Sequence, residues 1–473
     1  MTIEYFYRFR QIENLLGKHE ELEQQTIYFA SPEQLNDPIE GFKDIYWEGD
    51  KVVWMNLFRN YLLCLTAASI NFLLYDEKKS IESQISPSLT FEDLSDNYKE
   101  AFQEIDYVFF NYREIQQLIL NIEKYRTKVC ELELSIYFKN IHMIAIHCIF
   151  EQLIKLGFLS NNIIEKENLS ILSSFNKTWF DNINRIEKEN GGDNVQIHLQ
   201  ILSRVSSQNM LMVDYNHEHK SSNKKALLIN FHSIYIKKLE HVMYPDWYTA
   251  CFMTKSSNSS VWGNYANNHK GVCLMFSPDE HEGKLTIPLN NAVIGCNNQG
   301  VVKGTINPTF HPISYNTKID PINFFNSIGQ LPWGRAISNW FSTKDKEYSL
   351  LVPHDADEWR ESYWKYFYNS ITQKTKDWEY ESEYRLIRHS MLNDISNQNQ
   401  TLNYNFSSLK GIIFGINTSE NDKHHIIKII LKKVRQNKHY DFKFYQSYYC
   451  RGTGEIKNYE LNTLSFKNIK EAL

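Results

Sequence analysis

Hydrophobic and polar positions change rhythm twice along this chain. Near the start, "EYFYRFR" alternates aromatic rings with charged or smaller polar side chains, the two-residue period of a strand. "IENLLGKHEELEQQ" then reads as a helix and "TIYFASP" as a second short strand stopped by Pro32. "EQLNDPIEG" reads as a polar turn, because the residue before Pro38 is turned away from helical geometry. From about residue 51 to 240 the period lengthens. "YKEAFQEIDYVFFNYREIQQLILNIEKYRTKV" and "LSIYFKNIHMIAIHCIFEQLIKLGF" repeat apolar residues at three- and four-residue steps, as amphipathic helices do. Polar stretches such as "DEKKSIESQISPS" and "NKTWFDNINRIEKENGGDN" read as connectors. Beyond about residue 241 short strand-like runs return: "GVCLMFS", "GKLTIPL", "HPISYN", "YRLIRH", "KGIIFGI" and "YDFKFYQ". An aromatic helix is expected among them, around "DEWRESYWKYFYNSITQKT".

This order predicts an α+β fold. Residues 1–50 and 241–473 are expected to form one domain from both chain ends, with a small split sheet of mixed or antiparallel strands. Residues 51–240 are expected to be a large, mostly helical insertion. Within it, Val52–Leu74 is long enough to cross a bilayer. Asn56, Arg59, Asn60 and Asn71 interrupt it, and a mid-span arginine is costly in lipid, so a buried helix and no membrane are expected.

One stretch carries candidate chemistry. In "DWEYESEYRLIRH", Asp377–His389, the residues Glu379, Glu381, Glu383 and Arg385 fall at every second position. Read as a strand, that spacing places all four on one face, with carboxylates ~6–7 Å apart. Like charges that close need water, a cation or a polar ligand between them, so the face is either solvated or a site.

Composition narrows the classes. The chain of 473 residues is 42% hydrophobic, 23% charged and 14% aromatic, as ordinary globular proteins are, with a formal net charge of −5. That balance gives no electrostatic footprint for general nucleic-acid binding. Cysteines at 64, 130, 148, 251, 273, 296 and 450 include no CxxC pair, which argues against zinc and dithiol chemistry and for reduced thiols in a cytoplasmic protein. "MTIEYFYRFRQIE" has charges throughout and no apolar core of a signal peptide. Neither GxGxxG nor GxxxxGK[ST] occurs, nor HExxH, nor a serine-nucleophile elbow. "KHH" at Lys423–His425 is an isolated pair on a helix, and no metal site is expected.

Four blocks resemble a bacterial family known as domain of unknown function 2971. They are "YRFR…IYFASPEQLNDPIEG", "CFMTKSSNSSVWGNYANNHKGVCLMF", "WEYESEYRLI" and "LKGIIFGI", in the family's order. They cover the two ends of the chain and not the helical zone. The architecture of that family looks like the ADP-ribosyltransferase group, in which an early-strand His or Arg holds NAD and a late-strand Glu acts on the ribose. Carried over residue by residue, the resemblance implies Arg8 and Arg10 for the dinucleotide. It implies Ser31, Trp262, Tyr265 and His269 around the cofactor, and Glu381 or Glu383 as catalytic. In many members the opening strand reads His-Tyr-Thr; here it has Arg8, Phe9 and Arg10.

The chemistry fits those residue types. Nicotinamide leaves the ribose as a neutral molecule, so no general acid is needed, and the transition state is oxocarbenium-like. One carboxylate can steady that charge and a second can orient or deprotonate an acceptor. Arg8 or Arg10 can pair with a pyrophosphate, Trp262 and Tyr265 can stack on a base, and Gly263 can admit close backbone approach. The expectation is therefore an NAD-consuming, ADP-ribosyltransferase-like enzyme with NAD as substrate and a protein or nucleic acid as acceptor, in a toxin or phage-defence role. Two alternatives stay open. One is a catalytically idle module that binds a nucleotide, or a partner protein through the helical zone. The other is a metal-dependent nuclease using Asp246 and the glutamates. Each site residue also has a structural reading: a wet strand face for the glutamates, core packing for Trp262 and Tyr265, and a turn for His269-Lys270-Gly271 and for Asn36-Asp37-Pro38.

Overall fold

The computed structural model describes residues 3–37, 39–75, 80–157, 168–190, 192–217, 223–298, 300–316, 320–389, 399–464 and 466. The fold is mixed helix and sheet, and the chain divides into two units. One comprises residues 1–42, 245–319 and 368–473; the other comprises residues 43–244 and 320–367.

In the first unit the strands of the main sheet are β1 (Phe6–Arg10), β2 (Trp247–Met253), β3 (Val272–Phe276), β4 (Phe310–Pro312), β5 (Glu383–His389), β6 (Leu409–Phe414), β7 (Lys443–Cys450) and β8 (Glu455–Glu460). Among the described residues these eight form one sheet in the order β4-β5-β2-β1-β3-β6-β7-β8, larger than the small sheet expected. Neighbours are antiparallel except β6 and β7, which are parallel. Alternation sorts β1 into two faces. Phe6 joins a core with Phe252, Phe276, Leu386 and Ile412, closed by Ile426, Ile430 and Val434 of the helix Glu420–Asn437. Phe9 joins the opposite face with Met253, Cys273, Met275 and Ile413. There the short helix Ser259–Tyr265, capped by the Asn258 side chain, supplies Trp262.

The sheet opens between two of its central strands. β1 runs beside β3 over five register pairs, from Phe6↔Phe276 to Arg10↔Val272. With β2 the described residues keep a single pair, Tyr7↔Met253. Further along β2, Thr249 exchanges 2.8 Å backbone hydrogen bonds with Ala30 instead. β1 and β2 therefore diverge after Tyr7. Gly271 helps hold β1 against β3, since a Cβ there would sit 2.2 Å from the Arg10 carbonyl oxygen. At Gly263 a Cβ would meet nothing within 4 Å, so protein packing does not require glycine there.

The acidic row does not form one strand face. Lys376–Glu381 is a 3-10 turn, Ser382 is left-handed with φ 47°, and β5 begins only at Glu383. Glu379 is exposed, whereas Glu381 and Glu383 are buried. The physical reason lies in Lys374. Three carboxylates on one strand face would repel, and the turn instead folds Glu381 and Glu383 around one ammonium, at 2.8 and 3.2 Å.

The second unit is mostly helical, but its bounds differ from those expected. Residues 43–50 and 320–367 belong to it, because strand Ile45–Trp47 pairs with Ile322–Asn323 and with Val129–Cys130, and Trp47 packs on Phe324. The helix Lys51–Tyr75 is long and apolar enough to cross a membrane by length and composition, yet 61% of its most apolar window is buried. Its polar residues are paired: Arg59 with Asp106 at 2.8 Å, Asn56 with the Ser342 carbonyl and Asn60 with the Pro87 carbonyl. The stretch expected as one long helix breaks at Tyr112 into Asp96–Asn111 and Arg113–Tyr125. The expected connector after residue 176 is itself helical, within Asn168–Asn190 and the start of Gly192–His217, and it buries Phe180 and Ile183. Pro38 and most of the tail "NTLSFKNIKEAL" lie outside the described residues.

Candidate functional site

The divergence of β1 from β2 leaves a cleft of about 300 Å³ in the first unit, with Arg8, Arg10, Glu40, Cys251, Tyr265 and Lys374 in its wall. Each reaches it for a local reason. Arg8 shares a β1 face with Phe6 and lies over the Phe252 ring at 5.3 Å. Its Nη2 donates to the Tyr28 carbonyl at 3.0 Å, while the buried Nη1 has no partner among the described residues. Burial, with Arg10 nearby, lowers Arg8 to about 10, so the guanidinium remains cationic at neutral pH. Arg10 also lines the cleft, but Glu21 already engages it fork to fork, with Nε 2.6 Å from Oε2 and Nη2 on Oε1. Of the two arginines implied for an anionic ligand, Arg8 is the one with a buried nitrogen left unpaired.

Lys374 anchors the opposite chemistry. Its ammonium touches Glu381 at 2.8 Å, Glu40 at 2.9 Å and Glu383 at 3.2 Å, and lies over the Trp378 ring at 4.4 Å. Arg385 adds a second cation, bonding Glu383 Oε1 at 2.8 Å, Glu40 Oε1 at 2.9 Å and the Ile371 carbonyl at 2.9 Å. β5 positions Glu383 and Arg385 opposite Met253 and Cys251 of β2, so all four side chains share a face. Burial works against the Glu383 charge, but Arg385 and Lys374 outweigh it and hold the carboxyl down to about 2. Burial also lowers the preference of Lys374 for its charged form, and Glu383, Glu40 and Glu381 more than reverse that. Glu381 is pushed up by burial against the pull of Lys374. Its Oε1 accepts from the Tyr265 hydroxyl at 2.8 Å.

Glu40 was not singled out by the sequence pattern. The turn before it presents it: the Asp37 carboxylate accepts from the Ile39 amide at 3.0 Å, and the Glu40 amide donates to the Asp37 carbonyl at 3.0 Å. Gly41 follows in the left-handed region, φ 79°, where a Cβ would press on Pro32 at 3.1 Å. The Glu40 side chain is 3% exposed, and its Oε2 has no partner among the described residues. Burial raises its carboxyl, against Arg385 and Lys374. The signal for it was present in "NDPIEG", a turn that ends in an acid and a glycine.

The residues implied by the resemblance separate into three groups. Arg8, Arg10 and Tyr265 come together in the cleft wall. Glu381 and Glu383 stand behind Tyr265 and Lys374 with their carboxylates already paired, not open to a ribose. Ser31, Trp262 and His269 are not in the wall. Ser31 closes a turn, its amide donating to Gln34 Oε1 at 3.1 Å. Trp262 is fully buried, edge-on to Phe9 at 4.9 Å, with Nε1 donating to the Ser256 carbonyl at 2.8 Å, so it is core rather than a stacking platform. His269 follows Asn267 and Asn268 in a left-handed run and stacks on Trp262 at 5.9 Å. For the nuclease alternative, no three His, Cys, Asp or Glu side chains among the described residues are grouped to hold a metal ion, Asp246 included. Compared with known proteins, the chain matches no family model, no curated protein and no solved structure.

Proposed function

We propose that the cleft binds an anionic nucleotide and that the protein is an NAD-consuming, ADP-ribosyltransferase-like enzyme acting on a macromolecular acceptor. The observation that carries the reading is the Arg8 guanidinium: cationic, its buried Nη1 unpaired, in a residue that lines the cleft. A buried donor without a partner costs about 1–3 kcal/mol, and a phosphate oxygen would recover that cost with a charge-assisted bond. The same wall carries Tyr265, whose ring can flank a base, and Glu40, the one acid of the ion network that lines the cleft. In the reaction the C1′–N bond to nicotinamide breaks, its electron pair leaves with nicotinamide, and an acceptor oxygen or nitrogen bonds C1′. Depleting NAD or modifying a macromolecule would suit a toxin or phage-defence effector.

The test is calorimetry of the full chain with NAD and with ADP-ribose, beside an assay of nicotinamide release. Binding of both with release of nicotinamide is expected. No binding of either overturns the reading. Binding without release would favour the idle nucleotide-binding module, for which the full pairing of Glu381 and Glu383 is the supporting observation.

A further inference from the structure

We propose that Glu40 is the carboxylate that meets the substrate in this cleft, taking on Oε2 the proton of the hydroxyl or water that attacks the ribose. The inference rests on the NAD-consuming reading and assigns a residue to it. It starts from a charge count. Glu40, Glu381 and Glu383 surround Lys374 and Arg385, three acids against two bases, so with every group ionised the buried cluster carries one surplus negative charge. A buried surplus charge is costly, so the ionised cluster gains when one of its acids takes up a proton from the attacking group.

Geometry selects the acid that can take that proton. Glu383 spends both oxygens on Arg385 and one on Lys374. Glu381 spends Oε2 on Lys374 and Oε1 on the Tyr265 hydroxyl. Glu40 offers Oε1 to both cations, each at 2.9 Å, and keeps Oε2 bare. Of the three, Glu40 is also the one in the cleft wall. The groups that face it are Lys374, Arg385 and Glu383, with Cys251 on β2; Glu381 shares Lys374 with it, and the wall further includes Arg8, Arg10 and Tyr265. Glu381 and Glu383 have both oxygens engaged, whereas Glu40 Oε2 is buried without a partner in a residue that lines the cleft. The step balances without a further reactant: the attacking O–H gives its proton to Glu40, its oxygen bonds C1′, and the C1′–N pair departs with nicotinamide.

The experiment measures nicotinamide release across a pH series and NAD affinity by calorimetry for wild type, Glu40→Gln, Glu40→Asp and Glu383→Gln, with a thermal melt of each. Gln can keep an oxygen toward Lys374 and Arg385, so Glu40→Gln is expected to fold and to bind NAD within about threefold of wild type while releasing nicotinamide about 100-fold or more slowly. Its acidic pH limb is expected to vanish, and Glu40→Asp is expected to keep that limb with part of the rate. Release by Glu40→Gln within about threefold of wild type, or an unchanged limb, overturns the role of Glu40 and leaves the NAD reading standing. If Glu40→Gln fails to fold, Glu40→Asp decides: a lower kcat at unchanged KM with the limb retained supports the role, and full kcat overturns it. A wild type that releases no nicotinamide overturns both proposals together.

Discussion

The Tyr265 hydroxyl donates to Glu381 Oε1 at 2.8 Å, which ties the helix Ser259–Tyr265 to the turn Lys376–Glu381. Two segments more than a hundred residues apart in sequence thus meet beside the cleft. Because Lys374 holds the other oxygen at 2.8 Å, Glu381 acts as a brace between cleft wall and ion network rather than as a free acid. Removing the hydroxyl leaves Glu381 with one partner and keeps the ring in place. Tyr265→Phe is therefore expected to cost about 1.5–3 kcal/mol, the range for hydrogen bonds to charged groups, in urea unfolding. A change below a few tenths would mean the bond contributes nothing to the fold.

Lys374 carries more. Its ammonium neutralises parts of three buried carboxylates, so Lys374→Met leaves Glu40 and Glu383 with Arg385 and Glu381 with the Tyr265 hydroxyl alone. Breaking a buried ion pair from one side typically costs about 3–5 kcal/mol. The variant is expected to lose stability in that range by thermal or chemical unfolding. Adding Glu381→Gln to it should restore part of the loss, because one stranded charge goes with the lost cation. Strict additivity of the two changes would contradict a shared network.

The network also sets a pH dependence. The Glu383 carboxyl is held below the ordinary carboxylate range, so it binds its proton less readily folded than unfolded. Its contribution is therefore present above the unfolded pKa of about 4.5 and fades as pH falls toward about 2. Glu40 and Glu381 are shifted the other way by burial and oppose this at neutral pH. The stability gap between wild type and Glu383→Gln is expected to be largest near neutrality and to close in acid, as followed by denaturant unfolding across pH. A gap that widens in acid would reverse the sign argued here.

How far the sequence spoke can be judged from particular residues. Arg8 was legible because the alternation in "FYRFR" fixes which face it shares with Phe6. The engagement of Arg10 was not, because Glu21 lies in a separate helix and no local period links them. The row Glu379-Glu381-Glu383 was found as residues but misread as geometry. A period of two fits a strand, and it cannot reveal that Ser382 turns left-handed and ends a 3-10 turn first. β2 escaped notice because "WYTACFM" is buried along most of its length and so does not alternate. The helix Asn168–Asn190 read as a connector from Asn176 on because its many Asn, Lys and Glu residues mask the few apolar ones that face inward, Phe180 and Ile183 among them. Glu40 was missed for the plainest reason: it sits in a turn, where no periodicity marks what a side chain faces.

Arg8 gives the most direct test of ligand binding, because its role separates from the chemistry. The guanidinium holds the Tyr28 carbonyl with Nη2, and Nη1 is left for a ligand. Arg8→Lys keeps a cation beside Phe252 but replaces a planar fork by a point charge, and one ammonium reaches both sites poorly. Losing one charge-assisted bond of about 1.5–3 kcal/mol weakens ADP-ribose binding roughly 10- to 100-fold. Calorimetry is expected to show that loss for Arg8→Lys, and a melt without ligand is expected to show separately a small loss from the weakened Tyr28 bond. Calorimetry should also show wild-type affinity falling less with added salt than a surface site would, since a buried pair is screened little. Equal affinity in wild type and variant would remove Arg8 as the anchor.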